Sequence, residues 1–560
     1  MKADLTRDTF HHLKHFGRVL MQQGRVQLDA DWNEQAAISA HYLHRLMADL
    51  IGPAGSPGPD PGFQISPLSG STAADFQIGF GDYYVDGLLC QADSIPLAFF
   101  PTSTANLFQL MNWSSDFERA TIPYFEVFDD APGTTNHPVP VMISNPQKSS
   151  NQVKIVPSTG GNFRAFSNPK LRRWITYLHQ PDYVFSITPG AISPPPLPTG
   201  DLQIYLDVWE RVITYAEDDS IREVALGGPD TAARGKRVWQ VKSCPAVKNA
   251  DGATTCMTFQ QLYQQFQPAN RGWLQAIAKQ STPSTDPCII NPNASYTGRE
   301  NQLYRVEINR AGQAGTDPVN SATFKWSREN GSVFFPIVNG GGTSMVVVEN
   351  LGRDDRFGLS EGDLVEVQDD RSVLLNNPGN LLAVKSIDPG TRTVTLAGSV
   401  DPNIGSDSSL NPLLRRWDQT AGDQAGGGLT LANDNAALLR EGTWLTLEDG
   451  VQIQFQPASS ASPPAGIHTA NQYLTGDYWL IPARTATGDV EWPRVLDPHS
   501  KPEVDAQGNA IPIALPPQGV THHYAPLAVV TVAATGVTVD HECRGLFNVV
   551  TAALKCSDRL

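Results

Sequence analysis

The chain has 560 residues, a length typical of about three or four domains, and its 41 basic and 57 acidic residues give a formal net charge of −16. This balance argues against a nucleic-acid partner, because phosphate contact needs concentrated Lys and Arg. No stretch is apolar over the roughly 18 residues that a transmembrane helix needs.

The N-terminal stretch LDADWNEQAAISAHYLHRLM (28–47) first suggests a calcium loop, because Asp29, Asp31 and Asn33 alternate along it. A loop of the EF-hand type needs Gly at its sixth position and Glu at its twelfth, where this chain has Glu34 and Ala40. We therefore expect no metal here, and we expect no cofactor elsewhere.

A helix explains the same stretch better. Apolar residues recur at helical spacing from Trp32 to Leu50, with Asp31 placed as the N-cap and Gly52 as the stop signal. Such a stripe can bury itself against another chain. We assign partner binding to four residues of the stripe: Trp32, Leu43, Met47 and Leu50.

The chain after the Pro- and Gly-rich linker that follows Gly52 has the pattern of short strands joined by turns. Residues 362–398 predict a small β-barrel-like module, and Asn330-Gly331 predicts the turn of a hairpin within 323–338. The expected fold class is mainly β and multi-domain, with several small antiparallel sandwich or barrel modules behind a short N-terminal helical segment.

Five domain ranges follow from these patterns. They are an attachment segment at 1–52, a β-rich domain with a loop insertion at 53–200, a central β domain at 201–345, a barrel-like module at 346–400 and a C-terminal β domain at 401–560.

The sequence gives only weak signals for catalytic or metal-binding groups. Residues 358–362 match G-x-S-x-G, but a strand pattern follows Ser360 where a nucleophile elbow needs a helix. Metal-ligand residue types are densest at His522, His523, His541, Glu542 and Cys543, without the paired spacing of a zinc site. A structural role is favoured for them, and no catalytic residue is assigned.

The six cysteines include no C-x-x-C pair, so reduced and mostly buried thiols are expected. Cys244, Cys256 and Cys288 share one loop-rich segment, and whether they pair is left open.

Several blocks together resemble an uncharacterised bacterial family encoded beside phage-tail-like contractile injection systems. They are LKHFGRVLMQQGRVQLDADWNEQAAI (13–38), YYVDGLLC (83–90), YLDVWERVITYAEDDSIREVALGGPDTAARGKRVWQVK (205–242), ENQLYRVEIN (300–309), FKWSRENGSV (324–333), GDYWLIPARTATGDVEWP (476–493) and PPQGVTHHYAPLAVV (516–530). The first block is also similar to the start of tail-fibre and baseplate-attached proteins, where such a run leads into a helix near the attachment end.

The resemblance implies a non-enzymatic structural or adaptor component of such a particle, with baseplate, spike, tube or fibre proteins as partners and a second copy of the chain as another candidate. Synthesis in the cytoplasm without a signal peptide is expected, because the N-terminus lacks an apolar signal core. Two other hypotheses stay open: a cargo or effector carried by the particle, and a carbohydrate-binding surface protein with exposed Trp platforms.

Overall fold

The structure is a computed structural model that describes residues 2–58, 61–68, 74–112, 124–131, 136–158, 162–183, 197–267, 270–278, 296–458, 470–505 and 510–547. Strands dominate these residues, and the longest helix lies near the N-terminus. The predicted fold class, mainly β with small barrel modules and a short N-terminal helical segment, is therefore confirmed.

The helices are α1 (Asp29–Ile51), α2 (Phe259–Phe266) and α3 (Asp370–Leu374). The first sixteen strands are β1 (Ala54–Pro57), β2 (Ile65–Pro67), β3 (Phe76–Ile78), β4 (Gly81–Val85), β5 (Leu88–Ala92), β6 (Leu97–Pro101), β7 (Leu107–Leu110), β8 (Phe125–Asp129), β9 (Val139–Gln147), β10 (Gln152–Pro157), β11 (Pro169–Arg173), β12 (Ile175–Thr176), β13 (Gly200–Ile213), β14 (Arg234–Pro245), β15 (Val247–Lys248) and β16 (Thr254–Thr255).

The remaining strands are β17 (Leu274–Ala278), β18 (Gln302–Arg310), β19 (Thr323–Ser327), β20 (Phe334–Asn339), β21 (Met345–Val348), β22 (Leu364–Gln368), β23 (Leu381–Asp388), β24 (Thr393–Ala397), β25 (Leu413–Trp417), β26 (Ala437–Leu438), β27 (Leu445–Thr446), β28 (Val451–Phe455), β29 (Tyr478–Arg484), β30 (Asp489–Val490), β31 (His523–Ala533), β32 (Gly536–Glu542) and β33 (Leu546–Phe547).

These elements form two compact units, each assembled from separate stretches of the chain. The first unit comprises residues 1–43, 209–238 and 263–522, and the second comprises 44–208, 239–262 and 523–560. The five domain ranges given above stay predictions.

The second unit has a sandwich-like core and a barrel. Its long strand β13 pairs antiparallel with β31, from Gly200 opposite Val532 to Val208 opposite His523. The sheets β14-β13-β31-β32, β33-β1-β4-β5 and β12-β3-β2 share one apolar core, and six other strands close into the barrel β10-β7-β6-β11-β8-β9 around its own core. A closed barrel leaves no free sheet edge, which suits a short-stranded module.

The first unit repeats this arrangement. The five-stranded sheet β26-β19-β18-β29-β30 and the three-stranded sheet β17-β28-β27 enclose a core that contains Trp326, Trp479 and Phe455. A second barrel, β20-β21-β24-β23-β22-β25, spans Phe334–Trp417. Its interior is filled by aliphatic side chains of every strand together with Phe335.

The turn at Asn330-Gly331 has the predicted backbone but a different role. Both residues have positive φ, 53° and 65°, as a type I′ turn requires. The predicted hairpin is wrong, because β19 pairs with β18 and β26, whereas β20 pairs with β21 and β25 in the barrel. The turn therefore carries the chain from the sheet into the barrel.

Helix α1 begins two residues before the predicted N-cap. Asp29 is its first residue, so Asp31 lies in the first turn and the N-cap assignment is wrong. The helix ends as predicted, since Gly52 adopts φ 91° and its N–H donates to the carbonyl of Ala48 at 2.9 Å.

One disulfide lies within the second unit. Cys256 pairs with Cys543, 287 residues away, and not with Cys244, which is a buried thiol like Cys90. Cys288 lies outside the described residues.

We predict that Gly331→Val lowers the free energy of unfolding by about 1 kcal/mol or more, because a β-branched residue is strained at positive φ. The added Cβ would meet only ordinary contacts, with the Lys2 Cγ at 3.5 Å as the nearest, so the effect isolates backbone strain. Urea unfolding measures it. Gly235→Val is the matched control, because Gly235 lies in β14 with open space around its Cα. Equal midpoints for both variants would contradict the turn assignment.

Candidate functional site

The first residues of the chain are fastened to the first unit by polar contacts. Lys2 Nζ pairs with Glu307 Oε1 at 2.8 Å, and Asn330 Nδ2 donates to the carbonyl of Ala3 at 2.8 Å. Further contacts along the same segment join Arg7 Nη1 to Glu491 Oε1 at 2.9 Å and Arg484 Nη2 to the Thr6 carbonyl at 3.0 Å. Residues 2–7 therefore do not form a free tail.

Lys2 enters a buried ion cluster that also holds the unit together. Lys325 of β19 is 1% exposed, and its Nζ lies 2.7 Å from Glu366 Oε2 of β22 and 3.7 Å from Glu307 Oε1 of β18. Arg305 Nε donates to Glu307 Oε2 at 2.6 Å. The cluster thus connects the five-stranded sheet, the barrel and the N-terminal segment through charge.

The cluster keeps its carboxylates ionised. Burial opposes ionisation of Glu307, but the attraction of Lys2, Arg305 and Lys325 outweighs it and holds the pKa of Glu307 well below its usual range. The pKa of Glu366 is also lowered, because Lys325 and Lys2 outweigh its burial. Burial lowers the pKa of Lys2 to about 8 against the opposing pull of Glu307.

Helix α1 packs one face against this N-terminal segment. Thr6 donates to Asp29 from its N–H at 2.9 Å and from its hydroxyl, and Thr9 Oγ1 donates to Glu34 Oε2 at 2.6 Å. Only Ala30 and Ile38 of the helix are buried apolar residues. Partial burial raises the pKa of Asp29, but the hydrogen bonds from Thr6 outweigh it and hold that pKa below its usual value.

The opposite side of α1 is exposed. Of the residues predicted to bind a partner, Trp32 is 63% exposed, Leu43 57% and Leu50 73%, while Met47 is half-buried. Other large apolar side chains of the same region are exposed as well: Leu13, Phe16, Leu20, Met21, Val26, Leu28, Tyr42 and Leu46. We call the exposed large apolar side chains within residues 13–43 the N-terminal apolar surface. They are Leu13, Phe16, Leu20, Met21, Val26, Leu28, Trp32, Tyr42 and Leu43.

The segment before α1 also differs in charge from the rest of the chain. Residues 9–28 contain Lys14, Arg18 and Arg25 and no Asp or Glu, in a protein whose net charge is −16. The part of the apolar surface within 13–28 is therefore accompanied by positive charge, whereas the part on α1 lies beside Asp29, Asp31 and Glu34.

The C-terminal His, Glu and Cys group is engaged in structural contacts. The ring of His522 stacks on Trp209 at 4.9 Å, and His523 Nδ1 lies 2.9 Å from Asp86 Oδ2, where it helps to lower the pKa of Asp86. Cys543 is in the disulfide, and Glu542 accepts from Arg544. Within the described ranges, no three His, Cys, Asp or Glu side chains converge as metal ligands do.

A second polar cluster surrounds Arg328 at the end of β19. Arg328 Nη2 donates to Glu448 Oε2 at 2.8 Å, its Nε lies 3.8 Å from Asp418, and the Tyr304 hydroxyl lies 3.1 Å from Glu448 Oε1. Burial raises the pKa of Glu448 to about 7, with Asp418 adding to the shift and Arg328 opposing it. Each carboxylate is thus already occupied by a cation or a hydroxyl of the same unit.

Sequence reasoning missed the buried ion cluster. Its signal is present in QLYRVEIN, where Arg305 and Glu307 occupy alternate positions of an otherwise apolar strand, and in TFKWS, where Lys325 lies between two aromatic residues. A charged residue on an inward face predicts a paired charge, although it does not identify the partner.

Comparison with known proteins gives one family. The family described as "Family of unknown function (DUF6519)" matches residues 1–131, 196–251 and 243–558. No curated protein and no solved structure matches the chain. No helix in the part of the chain that the structure describes is long and apolar enough to span a bilayer.

We predict that Lys325→Ala lowers the free energy of unfolding by about 3–5 kcal/mol, because it leaves the buried carboxylates of Glu366 and Glu307 without their shared cation. Chemical denaturation of the full chain measures the change. Lys385→Ala in β23 is the control, since Lys385 is exposed in the same barrel. Similar effects of the two substitutions would show that the cluster contributes nothing specific.

We also predict a pH dependence that originates at Glu448. The folded state holds the proton up to about pH 7, whereas the unfolded state releases it near 4.5, so this group stabilises the fold at low pH and the stabilisation is lost as pH rises through 7. Glu448→Gln should therefore reduce the fall in Tm between pH 5 and pH 8. Glu503→Gln, at an exposed carboxylate, controls for the lost charge. An unchanged difference in Tm would rule out this origin.

Proposed function

We propose that this chain, which belongs to this family of unknown function, is a non-enzymatic structural or adaptor component of a contractile injection system or phage-tail-like particle. In this proposal it is associated with the baseplate or a fibre of the particle. The sequence blocks that resemble proteins encoded beside such systems support the proposal. The N-terminal apolar surface is the observation that carries it.

Soluble proteins rarely leave many large apolar side chains in water within one segment, and such regions mark interaction surfaces. Here Trp32 and Leu43 lie on a helix whose other face is already packed, and Lys2 holds the start of the segment on the first unit. Because the backbone is already held, binding orders little additional chain, which favours affinity.

The proposed partner face is apolar at its centre and acidic opposite the basic segment before α1. Lys14, Arg18 and Arg25 would meet this acidic part and orient the encounter, while the apolar side chains supply most of the buried area. A baseplate or fibre protein with such a face is the proposed partner. Synthesis in the cytoplasm, followed by assembly into a cytoplasmic or released particle, is part of the same proposal.

The two alternative functions, carbohydrate binding and cargo, predict different observations. A carbohydrate-binding protein needs exposed Trp rings. Trp32 and Trp273 are exposed, whereas Trp444 is half-buried and the following Trp residues of the strand-rich regions are buried: Trp209, Trp239, Trp326, Trp417, Trp479 and Trp492. This weighs against a row of stacking platforms on these strands. A cargo or effector would be lost without a change in particle shape. Electron microscopy of particles from cells that lack this protein separates cargo from structural component.

We predict that the combined variant Leu13→Gln, Leu20→Gln, Trp32→Gln and Leu43→Gln folds normally and no longer co-sediments with particles from the producing cells. The four side chains are exposed, so their replacement costs the isolated fold little, whereas the partner loses the apolar contacts. Ultracentrifugation of cell extracts at pH 7.5, with immunodetection of the chain, is the measurement.

The matched control is Val224→Gln with Leu226→Gln, which removes equally exposed apolar side chains elsewhere in the first unit. The control should sediment like the unaltered protein. Normal incorporation of the four-residue variant would refute docking through this surface, and absence of the unaltered protein from any large particle would refute the structural role.

A further inference from the structure

Four histidines gather where the N-terminal segment meets α1. They line a small pocket formed by Phe10, His11, His12, His15, Phe16, Glu34, Ile38, His41 and Tyr42. The ring of His12 on the segment lies 6.0 Å from that of His41 on the helix, and the Phe10 ring lies 5.6 Å from His41. The two elements therefore contact each other through imidazole and aromatic rings.

One of these histidines must carry a neutral acceptor nitrogen for the observed geometry. Residues His12–Lys14 form a 3-10 turn, and His11 caps it because its Nδ1 accepts a hydrogen bond from the Leu13 N–H at 3.3 Å. A protonated imidazole has N–H on both nitrogens and accepts no such bond. Protonation of His11 therefore removes the cap.

The charge balance of the pocket also changes with pH. Glu34 is the single carboxylate that lines it, so full protonation of the four imidazoles would change its net charge from −1 to +3. The other ionisable groups of the two elements do not offset this added positive charge, and Asp29 already accepts a hydrogen bond from Thr6. These groups are Asp8, Lys14 and Arg18 on the segment and Asp29, Asp31, Tyr42, His44, Arg45 and Asp49 on α1. His12 and His41 would then repel each other across the contact.

We propose that this histidine cluster is a pH switch, which keeps residues 10–20 packed on α1 at neutral pH and releases them in mildly acidic solution. Protonation removes the His11 cap and places like charges on His12 and His41, so acidification favours release. If the proposed function holds, the switch regulates the same docking surface.

Hydrogen exchange of the full chain, followed by mass spectrometry at pH 7.5 and pH 5.5 and corrected for intrinsic exchange rates, tests the switch. The protected amides include those of Lys14 and His15 in the turn and that of Val19, which donates to Gln35 Oε1 at 2.8 Å. We expect exchange in peptides covering 10–20 to rise about tenfold at pH 5.5, because release exposes these amides to solvent.

The variant His11→Gln, His12→Gln, His15→Gln and His41→Gln should be protected equally at both pH values, because Gln can accept the capping bond and stays neutral. His499→Gln, outside the cluster, should behave like the unaltered protein. If the combined variant is already unprotected at pH 7.5, the single variants His12→Gln and His41→Gln decide, each with a smaller rise than the unaltered protein.

Two outcomes would overturn the switch: equal protection of the unaltered protein at both pH values, or a rise that persists in every histidine variant. Docking is assayed separately at pH 7.5 with the apolar-surface variant, which keeps all four histidines. Failure of the switch therefore leaves the docking result intact, and failure of docking leaves the exchange result intact.

Discussion

The shared cation of Lys325 is the constraint on which the first unit depends. Glu366 comes from the barrel and Glu307 from the five-stranded sheet, and both are buried, so each must find a positive charge within the protein. Lys325 lies between them, and its Nζ also lies 4.6 Å from the centre of the Trp417 ring, whose Nε1 donates to Glu366 at 2.9 Å. This geometry requires the sheet and the barrel to meet in one register, which apolar contacts alone would not specify.

The same cluster explains how an N-terminal segment with few buried side chains keeps a defined position. Lys2 supplies a further cation to Glu307, and Asn330, in the turn that leads from sheet to barrel, holds the Ala3 carbonyl. The segment is thus fixed by ion pairs and hydrogen bonds at its start and by α1 at its end. Because apolar burial is not what attaches it, its large apolar side chains remain available to another molecule.

Local chemistry predicted the end of α1 and the turn at Asn330-Gly331 but misplaced the N-cap of α1, and long-range pairing lay beyond it. Gly52 ends α1, and Asn330-Gly331 adopts positive φ, because each depends on the conformational range of one or two residues. Strand β19 pairs with the preceding strand β18 and with the distant strand β26, whereas the nearest strand in sequence, β20, belongs to the barrel. The disulfide of Cys256 with Cys543 joins residues 287 apart, a distance no spacing rule covers.

For the candidate surface, too, the sequence predicted one part and only the structure shows the other. Helical periodicity identified Trp32 and Leu43 as one stripe, although periodicity alone cannot tell whether a stripe faces its own core or the solvent. The structure makes that distinction, because the other face of α1 contacts the N-terminal segment, where Thr9 donates to Glu34 and Thr6 donates to Asp29. The four histidines were not singled out from the sequence, since His11, His12 and His15 meet His41 only once the segment folds back along the helix.

The buried ion pairs of this segment and the exposed charges beside its proposed docking surface differ in their response to salt. The pairs of Glu307 with Lys2, Arg305 and Lys325 lie in the interior, where mobile ions screen poorly, whereas Lys14, Arg18 and Arg25 lie in an exposed or partly exposed segment. If the proposed partner binds here, its dissociation in salt requires no unfolding of the chain, and the N-terminal surface stays in place to bind again.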